Sequence, residues 1–243
     1  MMTNQEEVTL AQSKSVEDFL KAVYVLQQRI GVSSKQEENP DAETNSPRVA
    51  TNALAEALSI SAPSVTDMAR RMADAALVDY RRYYGVRLTE EGEAIALHVL
   101  RRHRLIELYL AKELGYGLHE VHDEAEKLEH VVSERFVEAI AHKLGDPTVD
   151  PHGDPIPAAD GTIIRAETTP LADLAMNKIA KISRLKAGNN QMLQHILERG
   201  FRLGKQIIIK ERDPFEGPLT VEVDGQPIVI GHNIALCILV EVD

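Results

Sequence analysis

The run VHDEAEKLEH, residues 121–130, sets two histidines and four carboxylates in ten positions. An α-helix turns about 100° per residue, so His122, Glu126, Glu129 and His130 fall inside an arc of roughly 100° on one helix. Val121, Ala125, Leu128 and Val132 occupy the neighbouring face. One helix earlier, within RRHRLIEL, His103 and Glu107 repeat the i, i+4 relation. Imidazole and carboxylate without thiolate suit Mn²⁺, Fe²⁺, Co²⁺ or Zn²⁺, and added oxygen donors favour Mn²⁺. For any one His–Glu pair the plain alternative is a solvated face rich in Glu and Lys. Two such pairs beside an apolar face favour ligands. Asp123 and Glu124 lie at the helix start, where they complement the dipole.

The chain that must position these groups has 243 residues, enough for two or three small domains. Its formal charge of -11 excludes nucleic-acid binding through bulk charge and leaves only a local basic surface. A single cysteine, Cys237, excludes an internal disulfide framework and a cysteine-cluster zinc site. Tryptophan is absent and aromatics are few, against stacking on single-stranded bases. Without an apolar signal region or a membrane-length apolar run, a soluble cytoplasmic protein with no membrane partner is expected.

Along the chain, SVEDFLKAVYVLQQRIG puts Val16, Phe19, Leu20, Val23 and Tyr24 on one helical stripe and offers Gly31 as its stop. Ser15-x-x-Asp18 has the form of a capping box. The polar segment 32–47 looks like an inserted loop. Two short helices follow, TNALAEALS with Ala53, Leu54, Ala57 and Leu58 inward, and SAPSVTDMARRMADAAL with Val65, Met68, Ala69 and Met72 inward. Ser61 is the expected N-cap of the second, with Pro63 in its first turn. This is a helix-turn-helix outline, and LVDYRRYYGVRLTEEG, alternating about Tyr84-Gly85, adds a hairpin wing. A long helix is expected from Thr89 to about Leu114 and another from about His119 to Leu144, ended by Gly145 and Pro147. The turn-rich DPTVDPHGDPIPAADG marks a boundary. Beyond it, five strand-like runs, the helical insert NQMLQHILERG and the turn pair Asp224-Gly225 suggest a small β-barrel.

Taken together, EDFLKAVY at 17–24, SAPSVTDMARRM at 61–72, RRHRLIEL at 101–108, VHDEAEKLEH at 121–130 and DPHGDPIP at 150–157 resemble one family. It is the metal-dependent repressor group of the diphtheria toxin repressor (DtxR) and the manganese transport regulator (MntR). The resemblance implies a mainly α fold with a β C-terminal domain. A winged helix-turn-helix would span 10–90, a helical metal-binding and dimerisation domain 91–158, and an SH3-like (FeoA-like) barrel 162–243. It further implies a primary metal site of Asp18, Glu126, Glu129 and His130, and an ancillary site of His103, Glu107 and His122. Iron-type members carry Met and Cys where this chain has Asp18 and Glu126, so Mn(II) is the expected effector and Fe(II) the alternative. Arg184 and Ala187 stand where iron-type members draw a Glu and a Gln ligand from the C-terminal domain. Lys21 stands where short manganese-type members have an additional Glu.

For DNA, the resemblance implies a recognition helix presenting Ser61, Pro63, Ser64, Thr66 and Asp67, with Arg71 toward the backbone. Asp67 replaces a base-reading Gln of iron-type relatives and could accept from a cytosine amino group. Arg81, Arg82 and Arg87 of the wing are candidate phosphate contacts, the alternative being solvated hairpin charges. The expected protein is a homodimeric repressor of metal-uptake genes on double-stranded operator DNA, not an enzyme. A metallohydrolase built on the same donors would need an open coordination position and a general base, and would leave the wing unexplained.

Overall fold

The structure, a computed structural model, describes residues 13–33 and 46–242, without the side chains of 31–33. Positions 34–45 of the polar segment read as an inserted loop lie outside the described residues. The chain divides into two compact units, one of residues 1–101 with 159–161 and one of 102–158 with 162–243.

The first unit begins with α1 (Lys14–Ser33), whose stripe of Val16, Phe19, Leu20, Val23 and Tyr24 is buried as its spacing predicts. Two expectations fail here. The helix runs past Gly31 to Ser33, because one glycine near a helix end costs only about 1 kcal/mol and does not by itself stop it. It also starts at Lys14, so Ser15 is already inside the first turn and cannot be the N-cap of a box with Asp18. Next come α2 (Thr51–Leu58) and α3 (Ala62–Asp74). In α2 only Leu54 is fully buried; Ala57 faces solvent, since a helix this short has one residue per turn to spare for the core. In α3, Val65, Ala69 and Met72 are buried and Met68 is partly so. Ser61 caps α3 as expected, its Oγ accepting from Ser64 N at 3.3 Å.

Strands β1 (Val78–Arg81) and β2 (Gly85–Leu88) form the antiparallel wing. Val49 bridges to Val86 through backbone hydrogen bonds of 2.7 and 2.9 Å. Asp79 is the electrostatic anchor of this hairpin. Its carboxylate pairs with Arg48, with Arg87 at 3.0 Å and with Arg81 at 3.8 Å, and its carbonyl accepts from Arg48 Nη1 at 2.8 Å. Burial works to raise the Asp79 carboxyl, but the hydrogen bond and charge of Arg48, then Arg87 and Arg81, hold it below its ordinary value.

Helix α4 (Glu90–Glu113) follows, with Thr89 Oγ1 accepting from Gly92 N at 3.1 Å and three glutamates in its first turn. The second unit receives its last part, from Arg102. The expected single helix over 119–144 is two, α5 (Val121–Leu128) and α6 (Glu134–Lys143). Ser133 breaks the pattern by capping α6, its Oγ accepting from Phe136 N at 3.3 Å. Leu105, Leu108, Val121, Ala125, Val137, Ile140 and Ile156 form a shared core.

The rest of this unit is a six-stranded antiparallel sheet in the order β3-β8-β4-β5-β6-β7, comprising β3 (Thr169–Pro170), β4 (Ile179–Leu185), β5 (Gln206–Arg212), β6 (Leu219–Val223), β7 (Gln226–Ile230) and β8 (Ile238–Glu241). Helix α7 (Asn190–Glu198) and the short α8 (His232–Ala235) pack with it around Phe201, Ile182, Ile196 and Ile207. The β6–β7 turn puts Asp224 and Gly225 at φ 49° and 82°, the left-handed pair that a two-residue hairpin demands. A bulge interrupts β4 against β8 between Ile182 and Arg184. Among the described residues no helix is long and apolar enough to cross a membrane.

Asp79→Ala should destabilise the first unit by about 1 kcal/mol at neutral pH, because Arg48 loses its carboxylate partner. Since the folded carboxyl titrates below the unfolded one, this stability is complete above the unfolded value and is lost as pH falls through the folded one. Urea unfolding of variant and parent should therefore converge in acid.

Candidate metal centre

Three segments of the second unit carry the donors: the last part of α4, helix α5 with the turn after it, and the loop 150–154. His103 on α4 sits between two carboxylates. Its Nδ1 lies 2.6 Å from Glu129 Oε2 and its Nε2 3.0 Å from Glu107 Oε1. The i, i+4 spacing on α4 makes the second contact; the first needs the turn that ends α5, where Glu129 is fully buried. His122, on α5, brings Nδ1 to 3.1 Å from His103 Nε2 and 3.3 Å from Glu107 Oε1. Glu126, one turn on, lies 3.9 Å from both His103 and His122. His130 Nε2 is 3.1 Å from Glu129 Oε1.

The residues expected as two sites are thus joined through His103. The structure brings together His103, Glu107 and His122, and also His103, Glu126 and Glu129, each group with its donor atoms within 4.8 Å of one another. Asp18 belongs to the first unit, half-buried on α1. Asp123 and Glu124 stay outside the cluster: Asp123 is exposed, and Glu124 accepts from Lys127 Nζ at 3.0 Å.

Two donors escaped the sequence reading. Glu107, Asp150 and His152 form a further group within 4.8 Å. The stretch DPHGDP contained both new residues, but its prolines and glycine read as a boundary, and only the fold returns that loop to α4. Asp150 organises the loop by accepting at Oδ1 from the backbone N–H of His152 at 2.8 Å and of Asp154 at 2.9 Å. Arg104 Nε stands 3.6 Å from its other oxygen. His152 Nε2 donates to the Leu118 carbonyl at 3.0 Å, and its Nδ1 lies 3.9 Å from Glu107 Oε2.

Buried carboxyls resist ionisation, and the cluster divides that cost unequally. Burial tends to raise the Glu107 carboxyl, but hydrogen bonds from His103 and His122, with the charges of His103 and His152, hold it well below the ordinary range. Asp150 is raised, by burial first and by the Glu107 charge second, against Arg104 and His152. These donors fit a divalent cation of borderline or hard character, since every candidate group among the described residues combines imidazole and carboxylate and none contains sulfur.

The residues expected to meet DNA lie at the surface of the first unit. Ser61, Pro63, Ser64, Asp67 and Arg71 are exposed, and Thr66 donates its hydroxyl to the Ala62 carbonyl at 3.0 Å. Asp67 pairs loosely with Arg70 at 3.6 Å. Arg81 and Arg82 are exposed, Arg82 lying 4.8 Å from the Tyr83 ring centroid. Arg87 differs: its pairing with Asp79 makes it a fastener of the wing.

Three family models match: the N-terminal DNA binding domain of iron dependent repressors over 41–86, their metal binding and dimerisation domain over 89–158, and the FeoA domain over 169–242. The diphtheria toxin repressor of Corynebacterium efficiens is 30% identical over 199 residues, covering 77% of this chain and 85% of that one. The iron-dependent repressor IdeR of Mycobacterium bovis is 28% identical over 201 residues, 77% of this chain and 86% of its own. Among solved structures, a manganese-dependent transcriptional repressor in complex with manganese shares 34% identity and a TM-score of 0.79, with 94% of this chain and 100% of that chain covered. Members of this family are DNA-binding repressors, not enzymes, which removes the metallohydrolase alternative. A DNA-binding unit, a buried histidine–carboxylate cluster and a FeoA-type sheet, in this order, belong to a metal-dependent transcriptional repressor of the diphtheria toxin repressor family.

Proposed function

We propose that this chain is a manganese-responsive repressor that acts as a homodimer on operator DNA, its targets being metal-uptake genes. The observation that carries the choice of metal is the donor set. Glu126 offers a carboxylate, 38% exposed, beside the buried Glu129 and His103, and no sulfur joins any candidate group among the described residues. Oxygen-rich sites favour Mn(II) over softer ions through ligand type and geometry. Solved relatives named for manganese support this reading, whereas the relatives named for iron keep Fe(II) as the alternative.

In this reading Glu126, Glu129 and His130, with Asp18 from α1, hold the sensing ion, while His103, Glu107 and His122 hold an ancillary one. Asp150 and His152 extend the ancillary set. A bound divalent cation supplies the positive charge that lets several carboxylates share one place. Without it the carboxylates of this set would repel one another, which would leave α1 and the recognition helix loosely set. The ligands drawn together then fix the spacing of two recognition helices near one turn of DNA, as a dimer on a two-fold operator requires. By linkage, DNA must tighten metal binding to the same extent. Ser61, Ser64 and Thr66 at the N-terminus of α3, with Arg71, Arg81 and Arg82, make the contacts, and Asp67 gives a base preference unlike that of Gln-bearing relatives.

DNA selected from a random pool by the full protein should bind at least ~10-fold more tightly with Mn²⁺ than with chelator in a mobility-shift assay. Glu129→Ala should remove the difference, and equal affinity in both conditions refutes metal control. The pair Asp18→Met and Glu126→Cys should move the response toward Fe²⁺ in anaerobic titration. An unaltered metal profile would leave the carboxylates without a role in selectivity.

A further inference from the structure

The C-terminal domain touches the two segments that flank the donor cluster. Leu118, just before α5, packs its side chain against the core of the sheet domain, while its carbonyl holds His152 Nε2 at 3.0 Å. Asn190 at the start of α7 reaches Asp123 at 3.5 Å. The denser contact is on the 150–154 loop. Leu185 N donates to the His152 carbonyl at 2.8 Å. Gly153, at φ +88°, lies against the bulge of β4: a Cβ there would collide with the Ser183 carbonyl oxygen and come within 2.9 Å of Arg184 Cα. A bulge re-aims the side chains beside it. Here Arg184, adjoining the bulge, pairs with Asp154, which also lies 3.8 Å from Arg104.

Arg184 is a cation and cannot ligate a metal, and among the described residues no candidate donor group takes a member from this domain, which instead holds the loop that carries Asp150 and His152. We propose that the C-terminal domain sets metal affinity at Glu107, Asp150 and His152 without supplying a ligand, by clamping the 150–154 loop through Gly153 and Arg184. Both are positioning residues. Gly153 permits the backbone approach that orients the His152 carbonyl, and Arg184 fixes Asp154, whose backbone N–H is one of the two that Asp150 Oδ1 accepts at 2.8 and 2.9 Å. Partners that orient first ligands in this way tune affinity through ligand geometry. The coupling is reciprocal, so the loaded loop must hold the domain more firmly than the empty one.

The proposal rests on the metal-responsive reading above, and one titration separates their failures. Free Mn²⁺ is followed by electron paramagnetic resonance against full-length wild type, Arg184→Ala, Gly153→Ala and Arg184→Lys. The first two variants should weaken one class of Mn²⁺ sites by about 10-fold, and Arg184→Lys should recover most of the loss. Amide exchange at His152 and Asp154 should quicken in the same two variants, while thermal unfolding of Arg184→Ala in chelator stays near the wild-type temperature; Gly153→Ala, strained by its backbone collision, is expected to unfold lower. Isotherms of Arg184→Ala that superimpose on wild type, or a loss in Arg184→Ala matched by a lower unfolding temperature of the metal-free protein, overturn the clamp. A wild type that binds no Mn²⁺ overturns the manganese reading and the clamp with it.

Discussion

Buried acidity is the constraint on which the second unit depends. Glu107, Glu129 and Asp150 are almost wholly enclosed, and an uncompensated carboxylate in such a place costs several kcal/mol, on the order of what a small domain has to spare. Compensation comes from other segments: His103 and Arg104 from α4, His122 from α5 and His152 from the loop. Each acid therefore requires the packing of two or three elements at once. The apolar core of Leu105, Val121, Ala125 and Val137 brings those elements together, and the charge cluster specifies their register.

The same constraint explains why this cluster suits a sensor. In the structure the imidazoles are engaged by carboxylates, most closely His103 with Glu129 at 2.6 Å, so the ligands are already gathered. On the proposed reading, a cation held by these donors of the second unit would exchange hydrogen bonds for coordination, and protons would compete with it for the same atoms. Asp150 and Glu107 take opposite shifts: burial and then the Glu107 charge raise Asp150, while against its own burial the hydrogen bonds of His103 and His122 lower Glu107.

Periodicity and turn chemistry made most elements legible. The buried stripe of α1, the Ser61 cap, the wing turn and the Asp224-Gly225 hairpin are local patterns, and local physics decides them. The clustering of imidazole and carboxylate was legible within each helix, since spacing puts His103 with Glu107 on one side of α4 and His122 with Glu126 on one side of α5. Convergence between segments was not. His103 and Glu129 are 26 residues apart, and nothing along the chain says that a helix will end at Leu128 to bring them together. The Ser133 cap that breaks the expected long helix was outweighed in the pattern by the apolar spacing around it. Asp150 and His152 were hidden by prolines that marked their loop as a connection. Arg87 was legible as a charge on an exposed hairpin, but its partner Asp79, across that hairpin, was not.

Distribution of charge also bears on how an acidic chain binds DNA. Of the wing-side guanidiniums, Arg48, Arg87 and, at 3.8 Å, Arg81 all pair with Asp79, so on the proposed reading the phosphate contacts rest on few groups, Arg71, Arg81 and Arg82 with the N-terminus of α3. Electrostatic affinity grows with the number of phosphates neutralised, and so few contacts per chain are weak against a formal charge of -11. In the proposed homodimer, two copies on one operator would double the contacts, and the relative placement of the two reading helices would decide whether both engage. A protein with a large basic surface would bind DNA whatever its helices' spacing. One with this sparse surface would bind only when the spacing is right, which on the proposed reading would let a ligand-set geometry act as the switch.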